Sequence, residues 1–194
     1  TDRIYDALAS GQRESSCPSE QSLCKSTTLV IGNNALAVDE AGLCAEQLGY
    51  SHAMQSAKSC EGSAEDVGRH LAEMTLGMLR ADPTAHRTDC LITGGEPTVT
   101  LAPEGLRGRG GRNQQLVLAA YRRLRAANLS EDDWTSLAIL SGGTDGEDGP
   151  TDAAGAVLCG DVHRRALALN LDIDDHLKRN DAYTFFQQAG GLVM

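Results

Sequence analysis

The chain has 194 residues, a net charge of −10, 41% hydrophobic and 23% charged residues. That balance describes a globular protein with length for one domain or one and a half, and it excludes a surface built for nucleic acid or an anionic membrane, which needs a basic face. Aromatics are only 4%, so Leu, Val, Ile and Ala must build the core, and the 21 glycines exceed ordinary usage.

Residues 1–26 are polar and serine-rich in their second half, and they read as a linker or as the end of a preceding region. The chain opens at Thr1 rather than Met, which fits a piece of a longer protein. No apolar run approaches the roughly 20 residues that span a bilayer, and no charged start with an apolar stretch marks a secretory signal. Thr28–Ile31 is a short β-branched run that predicts a buried strand, with a turn at Gly32-Asn33-Asn34. Helical spacing covers 35–48 with Gly49 as C-cap, and a second strand is expected around 51–56. A helix over 64–80 would place Val67, Leu71, Met74 and Met78 on one face. Residues 27–87 thus form a strand-helix-strand-helix segment.

A second region, 88–194, begins with the apolar strand Asp89–Ile92. Pro97–Leu101 alternates and predicts an antiparallel strand. The helix Asn113–Ala127 is the clearest, with Leu116, Val117, Ala120, Tyr121 and Leu124 on its apolar face. Ser136–Leu140 is the next strand. Short helices are expected at 152–156, 161–169 and 174–187, and Gly191–Met194 reads as a closing strand. Alternating strands and helices indicate an α/β protein, layered αβα with a mostly parallel sheet. Ligands in such sheets bind beyond the carboxyl ends of strands. Three strand ends carry glycine with polar residues: 32–34, 94–96 and 142–148.

Two loops carry the chemistry. Arg107-Gly-Arg-Gly-Gly-Arg-Asn113 runs into a helix. Backbone N–H groups at Gly108, Gly110 and Gly111 can converge on an anion, the helix N-terminus adds partial positive charge, and an arginine can grip a carboxylate or phosphate in bidentate fashion. Read from the residues alone, this is an anion loop or a solvated surface turn. The string matches neither a P-loop nor a dinucleotide fingerprint. The second loop, Gly142 to Asp152, holds Asp145, Glu147, Asp148 and Asp152, a hard-oxygen set suited to Mg²⁺ or to an acidic turn in which Asp152 caps the next helix. Glu96 places a lone carboxylate at a strand end. Asn180-Asp181 reads as a helix cap before the aromatic anchor Tyr183–Phe186. The five histidines lack metal-ligand spacing and read as surface or satisfied residues, and no G-x-S-x-G elbow supplies a hydrolase nucleophile. Six cysteines without C-x-x-C spacing argue against zinc or a disulfide scaffold and for a reducing cytoplasm, with Cys44 and Cys90 expected to be buried.

The strings GGEPTVT (94–100), GRGGRNQ (108–114), GGTDGEDGPTDAAGA (142–156) and NDAYTFF (180–186), in that order, resemble the C-terminal MOFRL domain of the class II glycerate kinases, some of which are named hydroxypyruvate reductase. VIGNNALA (30–37) through LGY (48–50) is similar to the segment preceding that domain, so the resemblance covers about 27–194. It implies an ATP- and Mg²⁺-dependent kinase of serine and glyoxylate metabolism that makes 2-phosphoglycerate from D-glycerate in a cleft between two α/β domains. Matching motif to motif, Arg112 would hold the substrate carboxylate or the transferring phosphate. Asp145 would stand at the reacting centre, as a base or near the metal. Glu96, Asn113, Asp148 and Asn180 would line the same cleft, with Asp145 and Asp148 as the candidate metal ligands. The family's N-terminal region with its glycine-rich phosphate loops and catalytic lysine, and its closing GPTGTN segment, lie outside these residues. The MOFRL-like part therefore reads as truncated, and the piece alone is expected to be inactive without its N-terminal kinase domain. Gln115 stands where relatives often have Glu, and Ser63 where a Gly-Glu-Ala string is common. A hydroxypyruvate reductase using NAD(P)H and a non-catalytic small-anion binding module are the alternatives, and a homodimer stays open.

Overall fold

The computed structural model describes residues 33–56, 62–81 and 88–194. The expected strand at Thr28–Ile31 and the linker before it lie outside the described residues. The first described element is helix α1 (Asn34–Gln47). Asn33 caps it by accepting the Leu36 N–H at 3.0 Å. Its end is a Schellman turn: Tyr50 N–H reaches the Ala45 carbonyl, Gly49 N–H the Glu46 carbonyl, and Gly49 takes φ +87°. Strand β1 (His52–Ser56) follows, then helix α2 (Ala64–Leu79) and strand β2 (Cys90–Gly94). β1 and β2 pair in parallel, His52 opposite Cys90 through Ser56 opposite Gly94. Helix α1 packs on both strands. Its buried positions are Val38, Gly42 and Ala45. Cys44 lies about 100° from Ala45 around the helix and is exposed, and Cys90 is half-buried, so neither is the buried thiol expected.

Helix α3 (Arg112–Arg125) is the centre of the structure. Every residue from Gln114 to Tyr121 is buried, and so is Leu124, so the whole of the predicted apolar face is buried. It packs against α2, against strands β3 (Ala138–Gly142) and β4 (Gly155–Cys159), and against helices α6 (Ile173–Lys178) and α7 (Ala182–Ala189). The buried row of α2 is Ala64, Gly68, Ala72 and Leu76, one step round from the predicted face. Small residues win this row because the helix backbones approach closely: a Cβ on Gly68 would overlap the Leu116 carbonyl oxygen. Val67 and Leu71 flank the row, half-buried against the same core.

Between α3 and β3 the chain forms a short helix α4 (Glu131–Ser136), capped reciprocally by Ser130 and Asp133. Helix α5 (Gly160–Ala168) follows β4 directly, and β5 (Leu192–Val193) closes the second sheet. The α/β expectation holds, and among the strands of the described residues the parallel pairing is β1–β2. The second sheet has order β3-β4-β5 and is antiparallel throughout. Residues 152–156 do not form the expected helix. Gly155 and Ala156 belong to β4, where a Cβ on Gly155 would overlap the Ser141 carbonyl oxygen of β3, so tertiary pairing overrides the helical preference of the alanines. The predicted helix 174–187 is two helices, α6 and α7, separated by Asn180 at φ +51°. Pro97–Leu101 is not a strand. Its backbone is satisfied by one parallel bridge between Ser63 and Thr98, by the pair Thr98 N–H to Gly62 carbonyl and Ala64 N–H to Thr98 carbonyl, and by a side chain described below.

Candidate functional site

The N-terminus of α3 is built around Asp148, which is 1% exposed. One carboxylate oxygen accepts the Asn113 N–H at 3.0 Å and the Asn113 side-chain amide at 3.1 Å. The other accepts the Gln114 N–H at 2.9 Å. A carboxylate from a loop 35 residues away thus caps the helix, because the cap position itself is Gly111 and has no side chain. A Cβ at Gly111 would overlap that same carboxylate. Burial pushes the Asp148 carboxyl above its ordinary pKa, opposed by the three N–H donations and by Arg112. The Asn113 side-chain oxygen in turn accepts from the Ser141 hydroxyl at 2.7 Å, which ties the end of β3 to the start of α3.

Upstream, the loop 108–111 lies against the turn between α6 and α7. Asn180 ends α6 as a left-handed residue in a Schellman turn, with Asp181 N–H on the His176 carbonyl and Asn180 N–H on the Leu177 carbonyl. Its side chain accepts the Ala102 N–H at 2.6 Å and donates to the Thr100 carbonyl at 3.3 Å. This is the side chain that holds 100–102 in place of a strand partner. Gly108 N–H donates to the Arg179 carbonyl at 2.8 Å, Arg109 N–H to the Asp181 carboxylate at 2.9 Å, and Tyr183 N–H to the Arg109 carbonyl at 3.0 Å. A Cβ at Gly108 would overlap Asp181, and one at Gly110 would sit 3.2 Å from the Ala182 nitrogen and the Asn180 oxygen. The glycines therefore serve close backbone approach. The expected ring of N–H groups for an anion is not formed at Gly108 or Gly111, since Gly111 N–H turns to the Gln114 side chain at 3.3 Å.

The three arginines separate. Arg107 donates to the Ala102 carbonyl at 3.1 Å. Arg109 lies over the Tyr183 ring, 4.3 Å from its centroid. Arg112, on the first turn of α3, pairs with Glu96 at 2.9 Å, and both side chains are largely exposed. The pair joins the loop after β2 to the N-terminus of α3. The acidic residues separate too. Asp145 is exposed at the tip of its loop, where it accepts the Glu147 N–H at 3.2 Å. Asp152 accepts the Tyr183 hydroxyl at 2.7 Å instead of capping a helix. That bond holds the Asp152 carboxyl below its usual range and pushes the Tyr183 phenol up. Among the described residues, no group of three or more His, Cys, Asp or Glu side chains is placed to hold a metal ion. Asp148 has both oxygens engaged by N–H donors, so its geometry is that of a cap. Asp145 has the open carboxylate.

Two polar residues at this end of the fold have partners that no local sequence pattern gives. Asp181 reads in the sequence as a helix cap; it stands at the N-cap position of α7, but its carboxylate makes no capping bond there and meets Arg109, His176, Arg179 and Thr184 instead. Gln115 is 1% exposed and donates its amide to Glu65 at 3.2 Å and to the Leu177 carbonyl at 3.0 Å. An amide fits this place because both neighbours are acceptors; its own oxygen has no partner.

The four motifs that converge around α3 fall inside the match to the family model described as MOFRL family, which covers residues 89–194, and the chain belongs to that family. It is similar to a glycerate kinase of Mus musculus, at 37% identity over 199 residues, and to a D-glycerate 2-kinase of Thermotoga maritima, at 32% over 166 residues. These matches cover 84% and 85% of this chain and 37% of each relative. The crystal structure of a Thermotoga maritima glycerate kinase superposes with a TM-score of 0.71 at 30% identity, covering 89% of this chain and 39% of that one. The chain thus spans little more than a third of the length of the relatives it matches. No helix among the described residues is long and apolar enough to cross a membrane.

Proposed function

We propose that this chain is the C-terminal part of a glycerate 2-kinase, which transfers the γ-phosphoryl group of ATP to D-glycerate and gives 2-phosphoglycerate. The observation that carries this reading is Arg112. Its guanidinium stands at a helix N-terminus on a largely exposed pair with Glu96, held in place yet open to a better-matched anion. A substrate carboxylate or the phosphoryl oxygens would take the two parallel N–H donors that one Glu96 oxygen uses only in part. Phosphoryl transfer depends on positioning and charge neutralisation more than on covalent chemistry by the protein, and both needs are met by an exposed arginine together with an open carboxylate on the loop that Asp148 ties to the same helix. Asp145 is that carboxylate. It would take the proton of the attacking hydroxyl, or would be one of the one or two protein carboxylates that Mg²⁺ needs, and that ion would supply charge neutralisation for the phosphate oxygens. Asn113, Asp148 and Asn180 support the cleft by fixing its loops.

The N-terminal kinase region would supply the opposite wall and the phosphate loops. Three free thiols among the described residues, Cys44, Cys90 and Cys159, suit a reducing cytoplasm. The reductase alternative requires a dinucleotide site, and these 194 residues carry no fingerprint for one. A coupled assay on the full-length protein, with glycerate plus ATP beside hydroxypyruvate plus NADH or NADPH, tests the reading. Glycerate-dependent ADP release that falls about 100-fold or more in Arg112→Ala supports it. Turnover of hydroxypyruvate alone, or of neither substrate, overturns it.

A further inference from the structure

We infer that Asp181 is a positioning residue for Arg112: the arginine-bearing loop is suspended between two buried carboxylates, Asp181 at its start and Asp148 at its end. This rests on the kinase reading above for its activity arm. Asp181 is 6% exposed and Asp148 is 1% exposed. Each accepts backbone N–H groups of the loop, Asp181 from Arg109 at 2.9 Å and Asp148 from Asn113 at 3.0 Å and Gln114 at 2.9 Å. Arg112 lies on the short span between these anchors.

The first and last of the loop's three glycines match the two anchors. A Cβ at Gly108 would overlap Asp181, and a Cβ at Gly111 would overlap Asp148. The loop is therefore shaped to its carboxylates, and the spacing in GRGGRN follows from three close approaches, the third being Gly110 against the Ala182 nitrogen and the Asn180 carbonyl oxygen. Asp181 is itself fixed on every side. Thr184 donates to the same oxygen that holds Arg109 at 2.7 Å. His176 Nδ1 and Arg179 approach the other oxygen at 3.1 and 3.3 Å, and His176 Nδ1 also lies 3.0 Å from the Asp181 carbonyl. Gly108 N–H to the Arg179 carbonyl and Tyr183 N–H to the Arg109 carbonyl lock the same turn from the backbone. A guanidinium that must meet a transferring group gains from such rigidity, since a misplacement of about 1 Å can cost about 100-fold in rate.

The test uses the full-length protein. Asp181→Ala is expected to lower kcat/KM for glycerate 10- to 100-fold, with much of the loss in kcat, and Asp181→Asn, which keeps an oxygen for the Arg109 N–H, recovers a large part of it. In an Arg112→Ala background, Asp181→Ala costs less than about 3-fold, because the residue acts through Arg112. Hydrogen exchange in peptides spanning 105–112 speeds up at least 10-fold in Asp181→Ala, while β4 and α5 keep wild-type protection. Losses that multiply in the double variant, or unchanged exchange across 105–112, overturn the inference. A wild type without glycerate turnover refutes the kinase reading and leaves the exchange experiment to decide Asp181. Gly108→Ala, which presses on the same contact from the loop side, replaces Asp181→Ala with the same readouts if that variant does not fold.

Discussion

Replacing Asp148 by alanine separates its role as an internal cap from a role as a metal ligand. The substitution removes the acceptors of two backbone N–H groups and one side-chain amide at the start of α3. Gln114 is fully buried, so its N–H has no route to water, and an orphaned buried donor costs about 1–3 kcal/mol. Asn113 is half-buried and regains part of its hydration, which leaves about 1 kcal/mol for its two donors. Loss of a negative charge at a helix N-terminus adds about 1 kcal/mol. The variant recovers the desolvation cost that pushes the Asp148 carboxyl up, so the net loss is about 3 kcal/mol. Denaturant unfolding monitored by circular dichroism should show it, at unchanged m-value. Asp148→Asn should lose about 2 kcal/mol, because one amide oxygen remains to accept and the charge is gone. A stability change under 1 kcal/mol, together with an activity loss that added Mg²⁺ restores, would refute the cap assignment.

Gly68→Ala tests the α2–α3 crossing. Alanine is the better helix former by about 1 kcal/mol, yet its Cβ would overlap the Leu116 carbonyl oxygen, so the variant should be about 1–3 kcal/mol less stable by thermal or denaturant unfolding, and a stabilised variant would sink the packing argument. His163 gives a pH dependence. Burial holds its imidazole below the usual 6.5, so the unfolded chain takes up the proton first as pH falls. Its contribution is intact above about pH 6.5 and is lost towards acid by at most about 1.4 kcal/mol per pH unit. Unfolding of His163→Gln between pH 7 and 5 should show a flatter dependence than wild type, and parallel curves would exclude His163 as the source.

Helix α3 was legible because apolar residues recur at Leu116, Val117, Ala120, Tyr121 and Leu124 with no competing signal, and burial then decided nothing new. The buried row of α2 was not, because Gly68 and Ala72 count for little in a hydrophobic pattern although close backbones select them. Helix α4 is too short to show an apolar period, and its signature is the local capping box of Ser130 and Asp133. The break at Asn180 was half legible. Asn-Asp marked a cap, but the left-handed backbone that ends α6 before α7 begins is a consequence of tertiary docking against 100–109. At the site, the residue types at Arg112 and Glu96 were legible and the structure joins them. The four acidic residues of 145–152 looked like one cluster because they are close in sequence. Burial of Asp148 and the pull of the Tyr183 hydroxyl on Asp152 send them in different directions, and pairing across 31 to 35 residues has no local signature.

The aromatic core around α3 has a further use. Trp134, the single tryptophan of the sequence, is 3% exposed. Its ring is stacked on His163 with centroids 3.8 Å apart, and it meets the edge of Tyr121 at 5.8 Å. Tyr121 closes the cluster with its hydroxyl 2.9 Å from His163 Nδ1. The indole therefore sits against an imidazole whose protonation is opposed by burial, at the junction of α3, α4 and α5. Its emission is expected to serve as a built-in optical label, quenched when the stacked ring takes a proton and shifted to the red when the core opens. Light from one residue thus distinguishes a local titration from loss of the fold.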